Sequence, residues 1–226
     1  MSAFFDYPKS AAFGRVLPKT KIYDHARASA RLKQLFVDQV EQVVWRFKLA
    51  PETINLASTK DITEIQVFGV TLRSASLDED VLRAIDKAIP YPLIFELTHS
   101  GKRKAIAAFK RPSEADSQKW VVSEYFATDW EPEDNPRKAL PTALNLGGLY
   151  DRLLTALMPP EAGAAEPLEA RVRRVEALRG KEREIERIKQ RLGREQQFNK
   201  RVAINAELRA AINELNELGC TSTDGG

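Results

Sequence analysis

Past a Pro-Pro-Glu-Ala-Gly break at residues 159–163, the chain runs from 168 to 218 without another proline, dense in charge and thin in apolar residues. Within it Val172, Val175, Leu178, Ile185, Ile188 and Leu192 recur at steps close to helical spacing, with Glu182 interrupting the run. Phe198, Val202, Leu208, Ile212, Leu215 and Leu218 continue it. Steps of three and four residues make a narrow helical seam of the coiled-coil kind. So narrow a seam must find another helix, either in this chain or in a partner. Gly193 costs about 1 kcal/mol relative to alanine inside a helix, so the spacing predicts a kink or a helix-to-helix turn there. The expected helix-facing residues are Val172, Val175, Ile185, Ile188, Leu192, Phe198, Val202, Leu208, Ile212 and Leu215. Self-association through them into a homodimer is one form of this expectation.

The first part of the stretch is also basic. From Arg171 to Arg201 twelve Lys or Arg stand against five Glu, in a chain whose formal net charge is only +3. Two readings stay open. Clustered cations attract phosphates by releasing counterions, which makes Arg173, Arg174, Arg179, Arg183, Arg187, Lys189, Arg191, Arg194, Lys200 and Arg201 the expected nucleic-acid contacts. Glu and Arg at helical spacing equally stabilise a solvated helix, by about 0.2–0.5 kcal/mol per pair.

Ahead of the break, the pattern predicts an α+β domain over residues 1–158, with a mostly antiparallel sheet and covering helices. The opening, with two prolines among aromatic and basic residues, reads as an arm that is irregular or contains only a short helix. A helix is expected over 25–42, a strand or a helix-to-strand turn over 43–49 stopped by Pro51, and a strand over 64–72 covered on both faces. Asp78 or Ser76 caps a helix over Val81, Leu82, Ile85 and Ala88, which Pro90 stops. A hairpin turns at His99-Ser-Gly, Trp120–Ala127 extends the sheet, and a helix covers 144–158. The remaining boundaries are a linker over 159–165, a charged helical arm over 166–219 and a flexible tail over 220–226.

Composition removes several chemistries. The single cysteine, Cys220, sits in the polar ending past the expected last helical residue and can build no disulfide framework, which points to a reducing cytoplasmic setting. No window approaches the roughly 18 apolar residues of a membrane span. His25 and His99 fall at a helix start and a turn, and with Cys220 they suggest no zinc site. Gly147-Gly148 lacks the Lys-Ser/Thr of a phosphate loop. No cofactor or metal is expected. One enzymatic alternative remains, a magnesium-dependent nuclease in which Asp61, Glu64 and Glu96 hold the ion beside Lys110. Alternating charges on exposed strand faces are the plainer account of the same residues, and no strand carries Glu-x-Lys.

Several segments together resemble a known family: Pro18-Lys-Thr-Lys-Ile-Tyr, Trp45-Arg-Phe-Lys-Leu-Ala-Pro-Glu-Thr-Ile-Asn, Glu64-Ile-Gln-Val-Phe, Ile85-Asp-Lys-Ala-Ile-Pro-Tyr-Pro-Leu-Ile-Phe, Tyr125-Phe-Ala-Thr-Asp-Trp and Gln196-Gln-Phe-Asn-Lys-Arg-Val-Ala-Ile-Asn. The family is an uncharacterised bacterial domain of unknown function, numbered in the four thousands, and the resemblance covers nearly the whole chain. It implies a gene context beside helicases and DNA methyltransferases of restriction-like or phage-defence loci, and it carries over no catalytic residues. The combined expectation is a non-catalytic accessory subunit that binds a protein partner, such as that helicase or methyltransferase, through its arm and nucleic acid through basic surfaces.

Overall fold

A computed structural model of the chain describes residues 3–113, 115, 120–159 and 166–220. The chain divides into two compact units, Met1–Met158 and Pro159–Gly226. Of the expected linker, residues 160–165 lie outside the described residues, as do 221–226 of the expected tail.

The first unit is α+β. Its elements are β1 (Phe5–Asp6), a 3-10 turn at Lys9–Ala11, β2 (Ala12–Val16), α1 (Lys19–Ala26), α2 (Ala30–Gln39), β3 (Val40–Leu49), α3 (Pro51–Ile54), β4 (Ile65–Leu72), α4 (Glu79–Ala88), β5 (Leu93–His99), β6 (Lys102–Pro112), β7 (Trp120–Ala127), β8 (Glu131–Pro132), β9 (Lys138–Ala139) and α5 (Leu146–Thr155). The main sheet runs β2-β3-β4-β5-β6-β7, with β8 paired to β6. All these pairs are antiparallel except β4 with β5, which are parallel and joined through α4. Strands β1 and β9 form a separate parallel pair.

Alternation sorts the strand residues between two faces. Phe68, Val70 and Leu72 of β4, with Phe95 and Leu97 of β5, pack with Ile22, Phe36, Val81, Leu82 and Ile85 of α1, α2 and α4 in one core cluster. Helix α4 is anchored by Asp78, whose carboxylate accepts the Asp80 N–H at 3.0 Å, with Glu79 and Asp80 in the first turn. Helix α5 is pinned to β6 where that strand bulges between Ala108 and Lys110. The Tyr150 hydroxyl accepts the Lys110 N–H (2.8 Å) and donates to the Ala108 carbonyl (2.9 Å), replacing ladder bonds that the bulge breaks.

Two local expectations are corrected. The helix expected over 25–42 is two helices: Arg27 takes a left-handed conformation (φ 51°) after α1, and the Ser29 hydroxyl starts α2 by accepting the Leu32 N–H at 3.2 Å. Its last residues, from Val40, already belong to β3. Pro51 opens α3 at a first-turn position, where a missing N–H is harmless. The N-terminal arm holds more than a short helix such as α1, since β2 adds an edge strand to β3. The hairpin turn itself falls on Ser100 (φ 49°) and Gly101 (φ 72°), the paired positive angles that a two-residue β-hairpin requires.

The second unit is a helical hairpin of α6 (Leu168–Arg194) and α7 (Phe198–Cys220). Gly193 is the penultimate residue of α6, and the chain reverses over residues 195–197 immediately after it. Cys220, expected past the last helical residue, closes α7.

Candidate interaction site

The four carboxylate and lysine residues of the nuclease alternative do not share one centre. Glu96, 1% exposed, lies on the sheet face opposite α4 and is held by two arginines. Arg137 grips it bidentately, Nη1 to Oε1 at 2.7 Å and Nη2 to Oε2 at 2.8 Å, and Arg46 Nη1 reaches Oε2 at 2.9 Å. Arg137 Nη1 also donates to the Phe5 carbonyl at 3.0 Å, so the cluster ties the N-terminal segment to the sheet. Hydrogen bonding to Glu96 raises the Arg137 pKa above its usual range. The Phe4 ring lies under two guanidinium groups, Arg103 at 4.1 Å and Arg137 at 5.6 Å from its centroid. The Tyr7 phenol, pushed up first by burial and then by the nearby Glu96 charge, has no hydrogen-bond partner among the described residues.

Lys110 belongs to the opposite face. It is completely buried, and its Nζ donates to the carbonyl oxygens of Asp86 (2.5 Å) and Ile89 (2.5 Å) and to Asp86 Oδ1 (3.4 Å). These carbonyls belong to the last turn of α4 and its C-cap, so the amine ends the helix as a cap and meets the negative end of its dipole. The Tyr125 hydroxyl donates to the other Asp86 oxygen. Burial pushes Asp86 up and Lys110 down, and their mutual attraction opposes both shifts. Lys19 plays the same part for α2, donating to the Phe36 (3.0 Å) and Val40 carbonyls, and burial lowers its pKa as well. Glu64 is engaged elsewhere again, paired with Lys48 at 3.3 Å and accepting from the Gln66 amide at 2.5 Å. Asp61 lies in the loop before β4. Among the described residues no group of three or more His, Cys, Asp or Glu is arranged to hold a metal ion.

Sequence reasoning missed Arg46 and Arg137, although one residue signalled the arrangement. Gly69 interrupts an otherwise apolar and β-branched strand, and such a glycine marks a close approach. A β-carbon at Gly69 would sit 2.5 Å from Arg46 Nε, so the bare backbone is what lets Arg46 cross β4 to reach Glu96 on β5.

The hairpin carries the more open chemistry. Ile185, Ile188, Ile204 and Ala211 bury one another, with Leu192, Leu208 and Leu215 packed around them. Val172 and Val175 lie in the first two turns of α6, outside that cluster. Phe198, Val202 and Ile212 do not enter it and are 78%, 53% and 37% exposed. The cation run divides in the same way. Arg173 pairs with Glu169 (2.6 Å), Arg174 with Glu166 (3.4 Å) and Arg191 with both oxygens of Glu207 (3.0 and 2.9 Å), while Lys181 bridges Glu184 (2.7 Å) and Glu214 (2.6 Å). Arg179 and Arg183 also have partners, and Arg187 Nε donates to the Arg183 carbonyl at 3.3 Å. Lys189, Arg194, Lys200 and Arg201 make no ion pair among the described residues and remain exposed. Arg194, Lys200 and Arg201 flank the turn, beside Phe198. An open groove of about 460 Å³ there is lined by Arg191, Arg194, Lys200 and Ile204 together with Glu195 and Glu207.

Among the described residues no helix is long and apolar enough to cross a membrane. No curated protein and no solved structure matches the chain. Residues 5–215, spanning the sheet domain and most of the hairpin, match the model of the domain of unknown function DUF4391, and the chain belongs to that family.

Proposed function

We propose that the protein is a non-catalytic accessory subunit of a bacterial restriction-like or phage-defence system, docking on a protein partner through its helical arm. The partner class is a helicase or DNA methyltransferase encoded beside it. The observation that supports this reading is a pair of apolar side chains that the hairpin leaves uncovered. Having closed its own seam, α7 still exposes Val202 and Ile212. Apolar side chains left on the outside of a charged helix are available for contact with a second protein. Of the residues that suggested a nuclease, Glu64, Glu96 and Lys110 are held in structural pairs.

Co-expression with the helicase and methyltransferase of the same locus, followed by gel filtration, tests the proposal. Co-elution of the wild-type chain, lost in Val202→Asp/Ile212→Asp with unchanged circular dichroism, is expected. Co-elution that survives both substitutions, or is absent in the wild type, counts against it.

A further inference from the structure

The tip of the hairpin combines two features that the packing of the arm does not use. One is an aromatic face: Phe198, first residue of α7, is 78% exposed and lies outside the seam cluster. The other is uncompensated positive charge. Among the described residues Arg194 on one side of the turn, Lys200 and Arg201 on the other, and Lys189 farther along α6 have no ion-pair partner. Of the carboxylates nearby, Glu207 is already neutralised by Arg191, and Glu195 accepts the Gln197 N–H at 2.9 Å at the start of α7. The tip therefore carries a net positive field around one open ring.

We infer that the hairpin tip binds single-stranded nucleic acid, with a base stacked on Phe198 and neighbouring phosphates held by Arg194, Lys200 and Arg201. This deepens the proposed role and rests on the arm being an interaction element. Single strands offer one π-face and one negative charge per nucleotide, the two complements that the tip presents, and pairing in a duplex hides the π-faces. An acidic protein segment would satisfy the cations but has no use for a lone protruding ring without a deeper apolar groove. The groove beside it has Arg194 and Lys200 on its walls and only Ala203 and Ile204 as apolar lining. Recognition of this kind is independent of sequence, and three or four phosphate contacts give a slope of log affinity against log salt of roughly −2 to −3.

The test is fluorescence anisotropy of the full chain with labelled 20-mers of deoxythymidine and of uridine, a DNA duplex, and polyglutamate as competitor. Binding of the single strands in preference to the duplex is expected, with the deoxythymidine and uridine arms separating DNA from RNA. Phe198→Ala should weaken it by roughly 5- to 150-fold, the range for loss of one base stack. Phe198→Trp should retain binding and show quenching of its emission, whereas Phe198→Leu should behave as the alanine variant does. Arg194→Glu/Lys200→Glu/Arg201→Glu should abolish binding. Wild-type affinity in Phe198→Leu, tighter binding of the duplex, competition by polyglutamate at equal charge, or no binding at low salt overturns the inference. Because partner docking is read separately through Val202 and Ile212, loss of nucleic-acid binding with co-elution intact rejects the tip site alone.

Discussion

Arg46 lies directly over Gly69, where a β-carbon would come within 2.5 Å of its Nε, and this crossing delivers the guanidinium to the buried Glu96. Glycine is thus part of an ion-pair design and not a weak point in the strand. Without it Arg46 must lift away, and Glu96 is left to Arg137 alone.

Gly69→Ala should therefore destabilise the sheet domain by about 1–3 kcal/mol, the cost of leaving a buried charged acceptor short of one hydrogen bond. Urea unfolding measures it. In an Arg46→Ala background the same substitution should cost little, because the clash and the bond it breaks are gone together. Equal cost in both backgrounds would separate Gly69 from Arg46.

Lys110→Met removes the cation from a buried carboxylate and should cost about 3–5 kcal/mol at neutral pH. The sign of its pH dependence follows from Asp86. Burial already raises that pKa, and loss of the amine, which lowers it, raises it further. A carboxyl whose folded pKa exceeds its unfolded value stabilises below the unfolded value and loses that contribution as pH rises through the folded one. The penalty of Lys110→Met should accordingly be smaller at pH 4.5 than at pH 7.5. A penalty independent of pH would show that Asp86 is not the group left uncompensated.

Ile188→Ala empties the centre of the hairpin seam, where a buried truncation costs roughly 2–5 kcal/mol. Hydrogen exchange should rise in α6 and α7 and stay unchanged in β4 and β5, since the two units are compact separately. Exchange rising equally in the sheet would mean that they unfold as one.

Glu207→Gln frees Arg191 at the price of an exposed ion pair worth less than about 1 kcal/mol. Single-strand affinity should increase, with a salt slope steeper by roughly 0.7, one further phosphate contact. An unchanged slope would exclude Arg191 from the contact surface.

Local pattern was enough to read strands β3 to β7, the Asp78 cap and the apolar seam, because each depends on neighbours within a few residues, but not the edge strand β2. The two-helix break at Arg27 was hidden because Ser29 looks like one more polar residue in a continuous helical pattern. Long-range polar partnerships were hidden for a different reason. Glu96 meets Arg137 across 41 residues and Arg46 across 50, and Lys110 caps a helix 21–24 residues away, separations that no periodicity encodes. In the arm the positions of the cations were plain, but which of them are spent on Glu166, Glu169, Glu184, Glu207 and Glu214 required the fold.

The most direct measurement is gel filtration of the chain co-expressed with the proposed partner, a helicase or a DNA methyltransferase. Docking through the arm predicts a co-eluting complex with one of them that Val202→Asp/Ile212→Asp dissolves while the sheet domain keeps its stability. A complex indifferent to those substitutions, or no complex at all, would contradict the role assigned to the arm.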